Sequence, residues 1–265
     1  MGGSILTGVP YTWEEGLLIL AAVFILLALV VILSYIKRIG IERDALIAMA
    51  KGGTQLFAIA VFLTFLFDFE AWYLLIWLLL GTMIIVSGST AAKRAADMPN
   101  AAGVTTPAIL TGATVALTVL AVTRAMPLRP QFIIPLAGMA FGNSMQICSL
   151  SMERLLREVR VNREAIETAL SLGATSQQAV EPYGRMSVKA SLIPTIDSLK
   201  TLGVIFIPGA MAGLLIAGTE PIVAAEYQII VYLMIVGGGI ISSLLAYYLS
   251  QPKIFTDAEQ LQPWV

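Results

Sequence analysis

Five side chains with lone pairs to offer crowd a single apolar run: Asn143, Met145, Gln146, Cys148 and Met152. Thioether and thiol ligands suit soft or borderline metals. The same residue types also fill cores and hydrogen-bond neighbouring helices. A metal path and plain packing therefore both stand, and the ligand set of any metal stays open. Asn143 and Gln146, three apart, share one helical face on either reading. A second polar cluster, ETALSLGATSQQAV from Glu167 onward, is wedged between apolar segments. With no His and one Cys in the chain, an intramolecular disulfide is excluded, and the residues argue against a His/Cys zinc centre or a haem site.

The elements that hold these clusters are membrane spans. The chain is 58% hydrophobic and 12% charged, against about 25% charged in soluble domains. A hydrocarbon core of about 30 Å takes about 20 apolar residues per helix. Seven runs qualify, at 17–35, 48–67, 71–87, 105–123, 131–150, 199–217 and 227–249. They predict an all-α membrane protein, one domain over 1–265, surrounded by lipid. The second and third runs, separated by DFEA, form a tight hairpin. No basic region precedes the first run, so it reads as a permanent span rather than a cleaved signal. The polar tail after the last run is expected to be frayed or lightly docked.

Lys and Arg in alternate loops set the orientation. With the N-terminus outside, fourteen of the sixteen basic residues fall on the inner side: Lys37, Arg38, Arg43, Lys51, Lys93, Arg94, Arg154, Arg157, Arg160, Arg163, Arg185, Lys189, Lys200 and Lys253. Arg124 and Arg129 remain outside, with Asp68, Glu70, Glu220 and Glu226. Tyr11, Trp13, Trp72, Tyr73, Trp77 and Tyr227 sit near the outer ends of spans, where amphipathic rings settle. The C-terminus is then cytoplasmic, in a cytoplasmic (inner) membrane. Net charge is −1, and nothing in the charge pattern points to nucleic acid.

The long cytoplasmic segment, 151–198, carries a stripe of Met152, Leu156, Val159, Ile166, Leu170 and Gly173. It predicts the fifth span continuing as one helix to a Gly173 C-cap. Pairs four apart join Glu153 to Arg157, Arg154 to Glu158 and Arg160 to Glu164. Thr175 or Ser176 then caps a second helix, which Pro182 and Gly184 interrupt. Pro194 marks a further break. The segment is either a solvated connector or a docking element, in which a short rigid helix carries force that a floppy loop would lose.

Glu167-Thr-Ala169, three residues, then Gly173 resembles the EAA loop of permeases driven by ATP-binding cassettes, with Thr168 in place of the first Ala. More broadly, GNSMQICSLSMERLLREVRVNREAIETALSLGAT, IPGAMAGLLIAG, Pro221 and YQI at 227–229 resemble the FetB-type permeases. These are bacterial iron-export permeases related to the plant aluminium-sensitivity proteins. The resemblance implies a homodimeric permease with two cytoplasmic ATPase subunits and export of iron or another metal by alternating access. It implies ATPase-coupling contacts at Glu167, Ala169, Gly173, Ala174, Thr175, Gln178 and Arg185. No G-x-x-x-x-G-K-[ST] occurs, so this chain cannot cradle ATP phosphates; ATP and Mg belong to the partner, and the chain itself binds no cofactor.

Ionisable residues are missing from the span centres, which argues against a proton-coupled pump. Asp197 and Lys200 fall at the cytoplasmic entry of the sixth span. The Thr-rich fourth span reads as hydroxyls bonded to their own helix. Gly138 with Gly142, and Gly209 with Gly213, allow close helix approach, and GGG at 237–239 reads as close packing or a dimer seam. Pro208 breaks or kinks the sixth span and, with Met211, is a candidate for a moving part of the translocation path or for a packing seam. A gradient-driven carrier or channel, or an exporter of a nucleotide sugar or other non-metal cargo, remains the alternative. A membrane enzyme is the third class weighed, and the absence of His and of a convincing nucleophile–base pair argues against it, Asp, Glu and Ser notwithstanding.

Overall fold

In hydrocarbon every backbone N–H and C=O must be satisfied within its own segment, so long apolar runs become helices. The computed structural model describes residues 12–69 and 72–265; Tyr11 and Glu70 lie outside them. The described residues form nine helices, of which six are long and apolar enough to cross a membrane.

The described residues divide into two compact units, one ending at Trp72 and the other, with the rest of α3, beginning at Tyr73. In the first, α1 (Trp13–Lys37) opens with a capping box between Thr12 and Glu15 and closes at Arg38 in the left-handed region. Its apolar residues surround the whole helix, as in a lipid-facing span. At its turn into α2 (Glu42–Asp68), the Ser34 hydroxyl donates to Glu42 Oε1 at 2.7 Å and accepts from the Ile41 N–H at 3.3 Å.

The second unit holds α3 (Trp72–Lys93), α4 (Ala101–Val122), α5 (Pro130–Val161), α6 (Arg163–Ser171), α7 (Ser176–Lys200), α8 (Gly209–Ile216) and α9 (Pro221–Ile254). The centre is α9, packed against α4, α5, α7 and α8. Small residues make this possible. A Cβ added at Gly112 would lie 2.1 Å from Ser242 Oγ and 2.4 Å from the Gly238 carbonyl, and one at Gly239 would lie 2.2 Å from Ile147. Gly142, Gly209, Gly213 and Gly237 have no heavy atom within 4 Å of that position, so neither GxxxG pair makes a seam inside the chain. Threonines of α4 bond to their own helix as expected, Thr111 to Pro107 O at 2.8 Å and Thr123 to Val119 O at 2.8 Å. Thr105 also reaches across to Gly88 O at 2.8 Å.

Three expectations are corrected. The fifth span does continue as a helix past residue 150, but only to Val161 rather than to Gly173, because Asn162 leaves helical geometry between α5 and α6. Pro182, Gly184 and Pro194 do not interrupt α7, which runs 25 residues through all three. A helix-interior Pro costs about 3 kcal/mol. Burial of Val180, Gly184, Ser187, Val188, Ser191 and Leu192 against α5 and α9 offsets it. The run at 199–217 is not one helix: α7 ends at Lys200, and residues 201–208 are irregular before the 8-residue α8.

The end of α9 lies beside the start of α7, through Glu259 and Ser176. Near its other end, Gln228 Oε1 accepts the Met211 N–H of α8 at 3.1 Å. A 34-residue α9 is about 51 Å long. The α7–break–α8 stretch therefore traverses the bundle as a broken helix. Asp197 and Lys200, ion-paired at 3.0 Å, lie at the far end of α7 rather than at the entry. Arg160 pairs with Asp97 at 2.6 Å instead of Glu164, and Arg94 shares Glu153 with Arg157.

The Gly112 contact yields a test. Gly112→Ala forces α4 away from α9 and lowers stability by about 1–3 kcal/mol, read as a drop in the melting midpoint of the purified chain in detergent. Gly142→Ala leaves that midpoint unchanged.

Candidate functional site

The turn between α6 and α7 is built by local chemistry. Gly173 has φ +91°, a conformation that favours glycine. Its N–H donates to the Leu170 carbonyl at 3.0 Å and the Ala174 N–H donates to Ala169 O at 3.0 Å, the paired bonds of a Schellman motif. One residue later, Thr175 caps α7: the Gln178 N–H donates to Thr175 Oγ1 at 3.2 Å and the Thr175 N–H to Gln178 Oε1 at 3.0 Å. Five of the expected coupling residues, Ala169, Gly173, Ala174, Thr175 and Gln178, thus make one rigid corner. Glu167 stands on the preceding turn, held by Arg163 Nε at 2.8 Å. Arg185 is two turns into α7, paired with Glu181 beside a cleft of about 130 Å³. Leu172 projects from the corner, 84% exposed. Ile166 anchors α6 in the core.

A second feature lies farther along α7. A cavity of about 210 Å³ opens between α5, α7 and α9, lined by Asn143, Gln146, Ile147, Leu150, Ser191, Pro194, Thr195, Ser198, Tyr232 and Ile235. Asn143 donates to Met139 O at 2.8 Å, Ser191 to Val188 O at 2.7 Å and Ser198 to Pro194 O at 2.9 Å. Among the described residues no hydrogen bond engages the Gln146, Thr195 or Tyr232 side chains, which leaves an amide and two hydroxyls for a ligand. The lining carries no ionisable carboxylate, amine or guanidinium.

The structure splits the sequence-expected path cluster. Asn143 and Gln146 face the cavity, while Cys148 and Met152 are fully buried in the core on another face of α5, and Met145 packs against that core. Among the described residues no three His, Cys, Asp or Glu side chains gather as a metal site. Pro208 caps α8 and Met211 lies in its first turn, away from the cavity lining. Ser191, Thr195 and Ser198 were not singled out from sequence. Their spacing of four and three places them on one helical face, a signal readable only once α7 is taken as continuous.

Removing the α7 cap tests the corner. Thr175→Ala costs about 1 kcal/mol, seen as faster amide hydrogen exchange at Gln177 and Gln178 with little change at α9.

A family profile described as "Uncharacterised protein family (UPF0014)" matches residues 17–255. "UPF0014 membrane protein STAR2" of Oryza sativa is 40% identical over 96% of this chain and 90% of its own length. "Protein ALUMINUM SENSITIVE 3" of Arabidopsis thaliana is 36% identical over 95% and 92%. "Probable iron export permease protein FetB" of Escherichia coli is 32% identical over 91% and 93%. No solved structure matches the chain. With six apolar helices and a match along nearly its whole length, the chain is a multi-span membrane protein and belongs to the UPF0014 family.

Proposed function

We propose that the chain is the permease subunit of an ATP-binding-cassette transporter, acting as a homodimer with a separate cytoplasmic ATPase. The corner at Gly173 carries this reading. A capped, rigid turn with an exposed apolar tip, flanked by Glu167 and several arginines, is shaped to enter a groove on a partner and be fixed there electrostatically. The ATPase supplies the site for ATP and Mg, and this chain binds neither. In this reading the excess of basic residues on one side, Lys200 at the far end of α7 apart, puts the corner and the C-terminus in the cytoplasm and the N-terminus outside.

From Ser176 to Ser198, α7 spans about 33 Å and joins the corner to the cavity as one rigid body. Closure of the ATPases on ATP displaces the corner, α7 tilts, and the irregular 201–208 segment absorbs the motion as a hinge. The cavity then opens alternately to either side. The cargo proposed is iron or another metal, by likeness to the Escherichia coli relative named as an iron export permease. The uncharged amide and hydroxyl lining favours a second reading, in which the cargo is an organic molecule gripped by hydrogen bonds.

Pull-down of the tagged chain from its native membrane, in a mild lipid-containing detergent, should bring ATPase activity with it. Gly173→Leu, strained at positive φ by about 1–2 kcal/mol, should yield folded chain whose ATPase is lost or hydrolyses ATP without transport. A lone wild-type chain would reject this reading and favour a gradient-driven carrier or channel.

A further inference from the structure

Residues 255–265 are not loose. Phe255 and Leu261 pair in an antiparallel bridge. The Thr256 N–H donates to Gln260 O at 2.7 Å and the Gln262 N–H to Ile254 O at 2.9 Å. Phe255 and Leu261 are buried, and Trp264 and Val265 pack against the same core. The tail is thus a hook folded directly onto the end of α9, with no linker after Ile254.

Two hydrogen bonds join this hook to the two sides of the α6–α7 corner. On the α7 side, Glu259 Oε2 accepts the Ser176 N–H at 3.2 Å. That N–H is one of the donors a helix leaves unpaired at its start, where negative charge is favoured. On the α6 side, Arg163 Nη1 donates to Val265 O at 3.4 Å, while its Nε holds Glu167. One arginine therefore connects the tail to the carboxylate expected to meet the partner. A nine-residue helix such as α6 is marginal on its own, so these tethers matter to its position.

We propose that residues 256–265 carry the displacement of the docked corner to α9, in parallel with α7, without themselves holding the partner. The inference rests on the docking reading above. Two rigid routes then leave the corner. One runs up α7 to Ser191, Thr195 and Ser198; the other passes through the hook into α9, which contributes Tyr232 and Ile235 to the same cavity. Moving both walls together opens or closes the cavity, whereas moving α7 alone shears it. Glu259 is a positioning residue in this scheme.

The test uses the full chain with its co-purified ATPase in lipid nanodiscs. Two variants break the second route, Glu259→Ala and a truncation after Thr256. Each is scored by the amount of ATPase retained per chain and by permease-dependent ATP turnover. Retention should hold at the wild-type level while turnover falls roughly twofold to thirtyfold, the range for substitutions along a coupling path. Glu259→Gln keeps a carbonyl acceptor for the Ser176 N–H and should retain most of the turnover. Hydrogen exchange at Ser176 should quicken in Glu259→Ala and not in Glu259→Gln. If the truncated chain misfolds, the surface substitution Glu259→Ala carries the test alone. Wild-type turnover in a folded Glu259→Ala complex overturns the inference and leaves the docking reading intact. A wild-type chain that retains no ATPase overturns both.

Discussion

An unpaired peptide group inside a bilayer costs several kcal/mol, and the architecture follows from that constraint. Six helices long and apolar enough to cross a membrane meet it with continuous helical bonding. The α7–break–α8 stretch, which runs along α9, meets it by local stitching. The Gly203 N–H finds Phe206 O at 3.0 Å, and the Ile205 and Phe206 N–H groups share Thr201 O. Gln228, a buried amide on α9, accepts the Met211 N–H at the start of α8. The break directly follows the α7 segment that lines the cavity, and its Val204 and Ile205 side chains stand exposed.

Close packing fixes the rest. Glycines and serines draw α9 onto α4 and α5 until backbone meets backbone at Gly112 and Gly238. At the cytoplasmic end of the orientation proposed, the Tyr247 ring fills the place of a side chain at Gly184 and locks α7 to α9. Farther along, Ser191, Thr195 and Ser198 stand off from Asn143 and Gln146, leaving the cavity. In the function proposed, α7, held to α9 at Gly184 and followed by a break after Lys200, acts as a lever, and the capped corner at Gly173 is where the ATPase would act on it.

Local chemistry is what the sequence makes readable. Gly173 and Thr175 appear in their expected roles because a C-cap and an N-cap depend on a few neighbouring residues. Asn143 and Gln146 fall on one face because three-residue spacing guarantees it. The extent of α7 is hidden, since Pro182 and Pro194 read as stops and burial along α5 and α9 overrides them. The hydropathy of 199–217 spans a break that a windowed average does not resolve. Ion pairs such as Arg160 with Asp97, and the bonds from Glu259 and Val265 to the corner, join residues 63 to 102 positions apart and have no local signature. Composition and charge carry the class of protein; long-range packing decides which polar residues share a site.

The claim that the Gly173 corner is gripped by a soluble ATPase is tested most directly by a photocrosslinking residue at Leu172, which is 84% exposed, activated in native membranes. Leu128 in the α4–α5 loop, also exposed, serves as the control from the opposite end of the bundle. One adduct is expected from position 172, containing an ATP-hydrolysing subunit, and none from position 128. An ATPase adduct from position 128, or none from position 172 while the same membranes yield the ATPase with the intact chain, would contradict that claim.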